Sequence, residues 1–122
     1  MNRPRLFLEE RLQQALRSDD CQLHHRVLTL FMDNLNELAE SLATTAISSE
    51  QWHKLRSSAH RHKSPAESVG SEQLAETLGA LEQAIDCDQF THAASILETL
   101  PDLVNQTKDV IHKKIGQLEQ RL

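Results

Sequence analysis

Aromatic side chains are nearly missing from this chain: three phenylalanines, one tryptophan and no tyrosine among 122 residues. Sheet-forming and base-stacking proteins both draw on such rings, so an all-β fold and a single-stranded nucleic-acid binder lack their usual material. Three glycines and three prolines leave little punctuation, and no short-period repeat or low-complexity tract appears. The chain therefore reads as long helices joined by short turns. Cys21 and Cys87 stand far apart without a CxxC spacing, so neither a disulfide scaffold nor a zinc site is suggested; both are expected to be reduced and half-buried. No apolar run exceeds about six residues, near Val27 to Met32, so nothing can span a bilayer. The opening Met1-Asn2-Arg3-Pro4-Arg5 leads to Glu9 and Glu10, not to a secretion-type apolar core, and a cytoplasmic location is expected. The net charge of -5 argues against a general nucleic-acid binder, which needs positive charge over much of a face.

What the chain does have is leucine, nineteen of them, in a composition 39% hydrophobic and 25% charged. That supports one domain over residues 1–122, with an aliphatic core built from good helix formers. Seven histidines are the other excess, and histidine is the side chain best able to change charge, bind metal or accept phosphate near neutral pH.

A short first helix is expected from Pro4 to about Arg17, with Phe7, Leu8, Leu12, Ala15 and Leu16 on one side. Ser18-Asp19-Asp20 offers an N-cap, with Asp19 and Gln22 spaced as a capping box, and Leu28, Phe31, Leu35, Leu38 and Leu42 then step alternately by three and four. After a connector at Thr44–Ser48, Ser48 and Gln51 form a second capping box ahead of Trp52, Leu55, Ala59, His62, Ala66 and Val69. Gly70 is placed to end that helix in a left-handed cap. Ser71 can cap a helix with the stripe Leu74, Leu78, Leu81 and Ile85, closing near Asp86-Cys87-Asp88. The last helix carries Phe90, Ala93, Leu97, Leu100, Val104, Ile111, Ile115, Leu118 and Leu122, and Pro101 inside it predicts a kink or brief break. Loops this short join antiparallel neighbours, so the expected fold is all-α: an antiparallel four-helix bundle with an additional short N-terminal helix.

One helix concentrates the chemistry. Between Gln51 and Ala66 there is no acidic residue, while Lys54, Arg56, Arg61 and Lys63 fall there with His53, His60 and His62. At 100° per residue His62 lies on the apolar stripe, whereas His60 is about 160° away and faces solvent. Lys63 and Ser64 follow His60 by one turn and Arg56 precedes it by one. An exposed neutral imidazole is a nucleophile, a lysine one turn away balances the charge of a phosphoryl group on it, and a small serine lets a partner's active site approach. The remaining histidines form no constellation: His24 and His25 are adjacent and cannot share a helix face, His92 and His112 are isolated, and His53 lies nearly two turns before His60. A metal site is not expected.

Ala59-His60-Arg61-His62-Lys63-Ser64-Pro65-Ala66-Glu67-Ser68-Val69-Gly70 resembles the motif of the histidine-containing phosphotransfer (HPt) domain, which runs roughly A-H-x-L-K-G-S-A-x-x-x-G on the second helix of a four-helix bundle. The resemblance extends from Leu28–Phe31 through the motif to Leu78–Glu82, nearly the whole chain. It implies that His60 is the phosphoacceptor, that Lys63 steadies the phosphohistidine and that Glu82, on the neighbouring helix, bonds the other ring nitrogen and orients the imidazole. Arg56, Arg61, Ser64 and Glu67 are expected to border the contact with a partner. The departures are His62 in the place of the family's leucine, Ser64 in that of its glycine, and Pro65. Inside a helix the proline removes a backbone bond at a cost of about 3 kcal/mol, which predicts a kink one turn after His60.

The function this implies is that of a phosphorelay intermediate. His60 accepts a phosphoryl group from a receiver-domain aspartate and passes it to another receiver. The protein needs no cofactor of its own, since Mg²⁺ is expected on the partner receiver, and without any ATP-binding motif it is not expected to phosphorylate itself. Its expected partners are response-regulator receiver domains and a hybrid sensor kinase, with no nucleic acid and no membrane, and it is expected to act as a monomer. The alternative is a non-catalytic receiver-binding module with a degenerate motif.

Overall fold

A computed structural model describes residues 5–43 and 48–122 and contains five helices: α1 (Glu9–Leu16), α2 (Cys21–Leu42), α3 (Ser49–Val69), α4 (Glu72–Asp86) and α5 (Phe90–Glu119). Pro4 and residues 44–47 of the expected connector lie outside the described residues. Helix α2 packs on α3 and α5, and α4 packs on the same two, so the four long helices close into a ring while α1 lies against α3. Side-chain pairs give the register. Ser41 meets Ser58 and Glu37 meets Arg61 between α2 and α3; Asp86 meets Arg56 and Glu82 meets His60 between α3 and α4. In each pair one number rises as the other falls, which makes the neighbours antiparallel. None of the helices among the described residues is long and apolar enough to cross a membrane.

The apolar stripes form one core, with Leu28, Leu38, Leu78, Leu81, Leu100 and Ile111 wholly buried. Each such side chain contributes roughly 1.5–3 kcal/mol. Helix α3 starts with both halves of the Ser48–Gln51 capping box and stops at Gly70, whose φ of 88° is left-handed. Prolines break neither helix that holds one: α3 is continuous through Pro65 and α5 through Pro101.

Several expectations are corrected. Helix α1 begins at Glu9, not near Pro4, because Leu8 is extended and its N–H donates to the Gly70 carbonyl at 2.9 Å while the Arg5 carbonyl accepts from Gln73 N–H at 2.9 Å. Backbone bonds to the α3–α4 junction thus replace the first turn of a helix. Ala15 is exposed. Asp20 caps α2, accepting from Gln22 N–H, so Asp19 forms no capping box. Ser71 stands at the N-cap of α4 but its hydroxyl makes no cap bond and is buried without a partner. Cys87 is exposed, and only Cys21 is half-buried. Phe90 at the start of α5 is exposed, as is Leu122, which lies beyond the end of the helix, and the gap between Val104 and Ile111 is filled by buried Thr107, whose hydroxyl donates to the Leu103 carbonyl. Lys114 is buried too, its Nζ 2.8 Å from Glu9 Oε1 on α1.

Candidate functional site

The centre of the site lies on facing turns of α3 and α4. Ala59 and His62 turn into the core, and that phase leaves the His60 side chain 70% exposed. Across the interface Leu81 is fully buried, which sets Glu82 at the edge of the core with its side chain 17% exposed. His60 Nδ1 is 3.0 Å from Glu82 Oε1 and 3.2 Å from Oε2. A carboxylate only accepts, so Nδ1 is the nitrogen that carries a proton, and in the neutral ring the lone pair is then on Nε2. This arrangement presents a nucleophilic nitrogen on an exposed ring whose orientation is held from behind.

The surrounding cations are less free than their spacing in the sequence implies. Arg56 donates through Nε to Asp86 Oδ1 at 2.5 Å and through Nη2 to Oδ2 at 3.4 Å, and Nη2 is 3.8 Å from Glu82 Oε1. The Asp86 hydrogen bond and charge push the Arg56 guanidinium up from its ordinary value. Arg61 turns to Glu37 on α2 at 3.4 Å, and Lys54 pairs with Glu50 on its own helix at 3.8 Å. Lys63 makes no ion pair among the described residues. Its stem lies along α4 beside Gly79, where a β-carbon would stand 3.3 Å from Lys63 Cε and 3.4 Å from Nζ. The basic run is therefore not a continuous positive face; among its lysines and arginines, Lys63 is the cation left without a carboxylate.

Ser64 is exposed one turn beyond His60, and Glu67 is exposed further along, where Arg11, Gln14 and Ala15 of α1 wall a shallow groove with Glu67 and Ser68. The structure thus brings His60, Glu82 and Arg56 into contact, sets Lys63 and Ser64 one turn away, and sends Arg61 toward α2. His62 is 5% exposed, its Nε2 without a hydrogen-bond partner, and burial, with the Arg61 cation second, pushes its imidazole below the ordinary histidine value. Among the described residues no three or more His, Cys, Asp or Glu side chains group to hold a metal ion.

Two residues escaped the reading of the sequence. Asp86 anchors Arg56, and its signal was the pair Glu82 and Asp86, one turn apart on α4, mirroring Arg56 and His60 on α3. Gly79 makes room for Lys63; a glycine inside a helix costs about 1 kcal/mol relative to alanine, which marks it for a packing reason.

A family model described as the Hpt domain matches residues 26–110. Neither the curated proteins nor the solved structures contain a match to the chain. The matched span holds the His60–Glu82 pair, all of α3 and α4, and most of α2 and α5. The chain belongs to the Hpt domain family, helical phosphotransfer modules of two-component signalling that interact with response regulators or kinases.

Proposed function

We propose that this protein is a phosphorelay intermediate whose His60 takes a phosphoryl group from the aspartyl phosphate of one receiver domain and gives it to the aspartate of another. The observation that carries the reading is the exposed imidazole with Nδ1 bonded to Glu82, which in the neutral ring puts the lone pair on Nε2. The Nε2 lone pair attacks phosphorus as the bond from phosphorus to the aspartate oxygen breaks, and that electron pair leaves with the regenerated carboxylate. The Nδ1 proton stays between the ring and Glu82, which balances the positive charge acquired by the imidazole. Lys63 offsets charge on the phosphoryl oxygens, and Ser64 leaves room for the receiver. Arg61 and Glu67 border the docked partner. Mg²⁺ belongs to the receiver, and positioning with electrostatic compensation accounts for the rest.

His60, Glu82 and Lys63 all come from one chain, which supports action as a monomer. A hybrid sensor kinase is the expected donor, and a cytoplasmic location follows from partners of that kind. The competing reading, a binding module that relays nothing, rests on His62 and Pro65. Against it, His62 is turned into the core and α3 is unbroken through Pro65, so neither disturbs the His60–Glu82 bond.

Incubation with phosphorylated receivers and Mg²⁺ is expected to place acid-labile, base-stable label on the wild type and none on His60→Gln. Label on the glutamine variant would move the acceptor elsewhere. Absence of label on the wild type across several receivers, with binding retained, would establish the binding-module reading.

A further inference from the structure

Resting on the reading of His60 as the reacting histidine, we propose that Arg56, anchored by Asp86, is a positioning residue that holds the Glu82 carboxylate on His60 Nδ1 and so keeps Nε2 the nitrogen offered to partners. Arg56 and His60 are one turn apart on α3, and Asp86 and Glu82 are one turn apart on α4, so the antiparallel register sets two rungs side by side. Glu82 Oε1 belongs to both rungs: it is 3.0 Å from His60 Nδ1 and 3.8 Å from Arg56 Nη2. The guanidinium is a rigid plane, and two bonds to Asp86 fix its orientation, leaving Nη2 directed at Glu82 as well.

Glu82 and Asp86 repel each other at this spacing, and Glu82 is shielded from most of the water that would otherwise solvate it. The cation between them offsets both effects. Without it the Glu82 side chain gains from rotating toward solvent, which takes its oxygens off Nδ1. The exposed ring has no other described hydrogen bond to fix it and becomes free to carry its proton on Nε2, the tautomer whose outward nitrogen cannot attack. Arg56 therefore acts through Glu82 and does not touch the phosphoryl group.

The test is nitrogen-15 NMR of the ring-labelled, unphosphorylated protein, read alongside label uptake from a phosphorylated receiver. Wild type is expected to show the Nδ1–H tautomer. Arg56→Gln is expected to lose it in favour of Nε2–H and to slow transfer about three- to tenfold, the range of one net hydrogen bond, with the receiver concentration for half-maximal rate unchanged. Arg56→Lys is expected to restore part of both signals, and Asp86→Asn to show a smaller loss in the same direction. An unchanged tautomer in Arg56→Gln overturns the proposal, whether transfer falls or not, as does a wild type carrying its proton on Nε2. The NMR measurement needs no receiver. A wild type that takes no label yet shows the expected tautomer changes would uphold the positioning role while removing the relay reading.

Discussion

His62 places a nitrogen where its neighbours place carbon. Two residues from the exposed His60, it lies in the seam between Ala59 and Ala66 with Nε2 unpartnered. An unpaired buried polar atom costs about 1–3 kcal/mol, so His62→Leu is expected to stabilise the fold by roughly 1–2 kcal/mol in urea unfolding at pH 7.5, with labelling at His60 retained. The gain should grow in acid. Burial lowers the imidazole's proton affinity in the folded state, so below the ordinary histidine value the unfolded chain takes up a proton that the folded chain resists. Stability is thus full above about pH 6.5 and falls as the pH drops through the folded value, and the leucine variant should lack that part of the fall. Melting at pH 7.5 and pH 5.5 checks the sign. The contrast between these two histidines was legible in the sequence, because helical phase alone decides it. The partners of Arg56 and Arg61 were not, since Asp86 and Glu37 lie on other helices.

At the scale of the element, α3 shows how local signals bound a helix and tertiary ones tie it down. Its capping box and glycine stop follow from residues within four positions of each end. Gly70 is also pinned from outside, because a β-carbon there would fall 2.2 Å from the Leu8 carbonyl oxygen and 2.8 Å from Leu8 N. Gly70→Ala therefore combines a strained positive φ with a backbone collision that no side-chain rotation relieves. It is expected to cost roughly 2–4 kcal/mol, measured as a lower urea midpoint, and to expose residues 5–8 to proteolysis. The apolar content of Phe7 and Leu8 suits a helix as well as a strap, so composition alone extends the helix to Pro4 whereas α1 starts at Glu9. A strap that bonds to the α3–α4 junction carries the same apolar residues with no helical period to reveal it.

For the whole molecule, the attachment of α1 to the bundle depends on contacts between residues far apart in the chain. Leu12 is wholly buried, and Glu9 reaches Lys114 across the chain. The two ends of that pair are unequal: the Glu9 side chain is 45% exposed and the Lys114 side chain 9%. Lys114→Met keeps the stem in the seam and leaves Glu9 to water, so a change near zero is expected. Glu9→Ala strands a buried ammonium and is expected to cost about 1–2 kcal/mol, less than a fully buried pair because water screens the glutamate side. Comparison of the two urea midpoints decides this. The Lys114 hydrogen bond, ahead of its charge, holds the Glu9 carboxyl below its usual range despite some opposing burial. That contribution is present above the ordinary carboxylate value and is lost as the pH falls through the folded one, so the attachment of α1 should loosen in acid at a lower pH than the one at which the loss at His62 begins.

The sequence by itself determined the number of long helices, the side each turns inward and the exposure of His60, because caps and a 3.6-residue period act within a few positions of the chain. Which cations around His60 are spent on carboxylates, which glycine makes room for Lys63, and where residues 5–8 lie were decided only by the tertiary structure. Each depends on the register of one helix against another, and that register comes from packing distant stripes into one core.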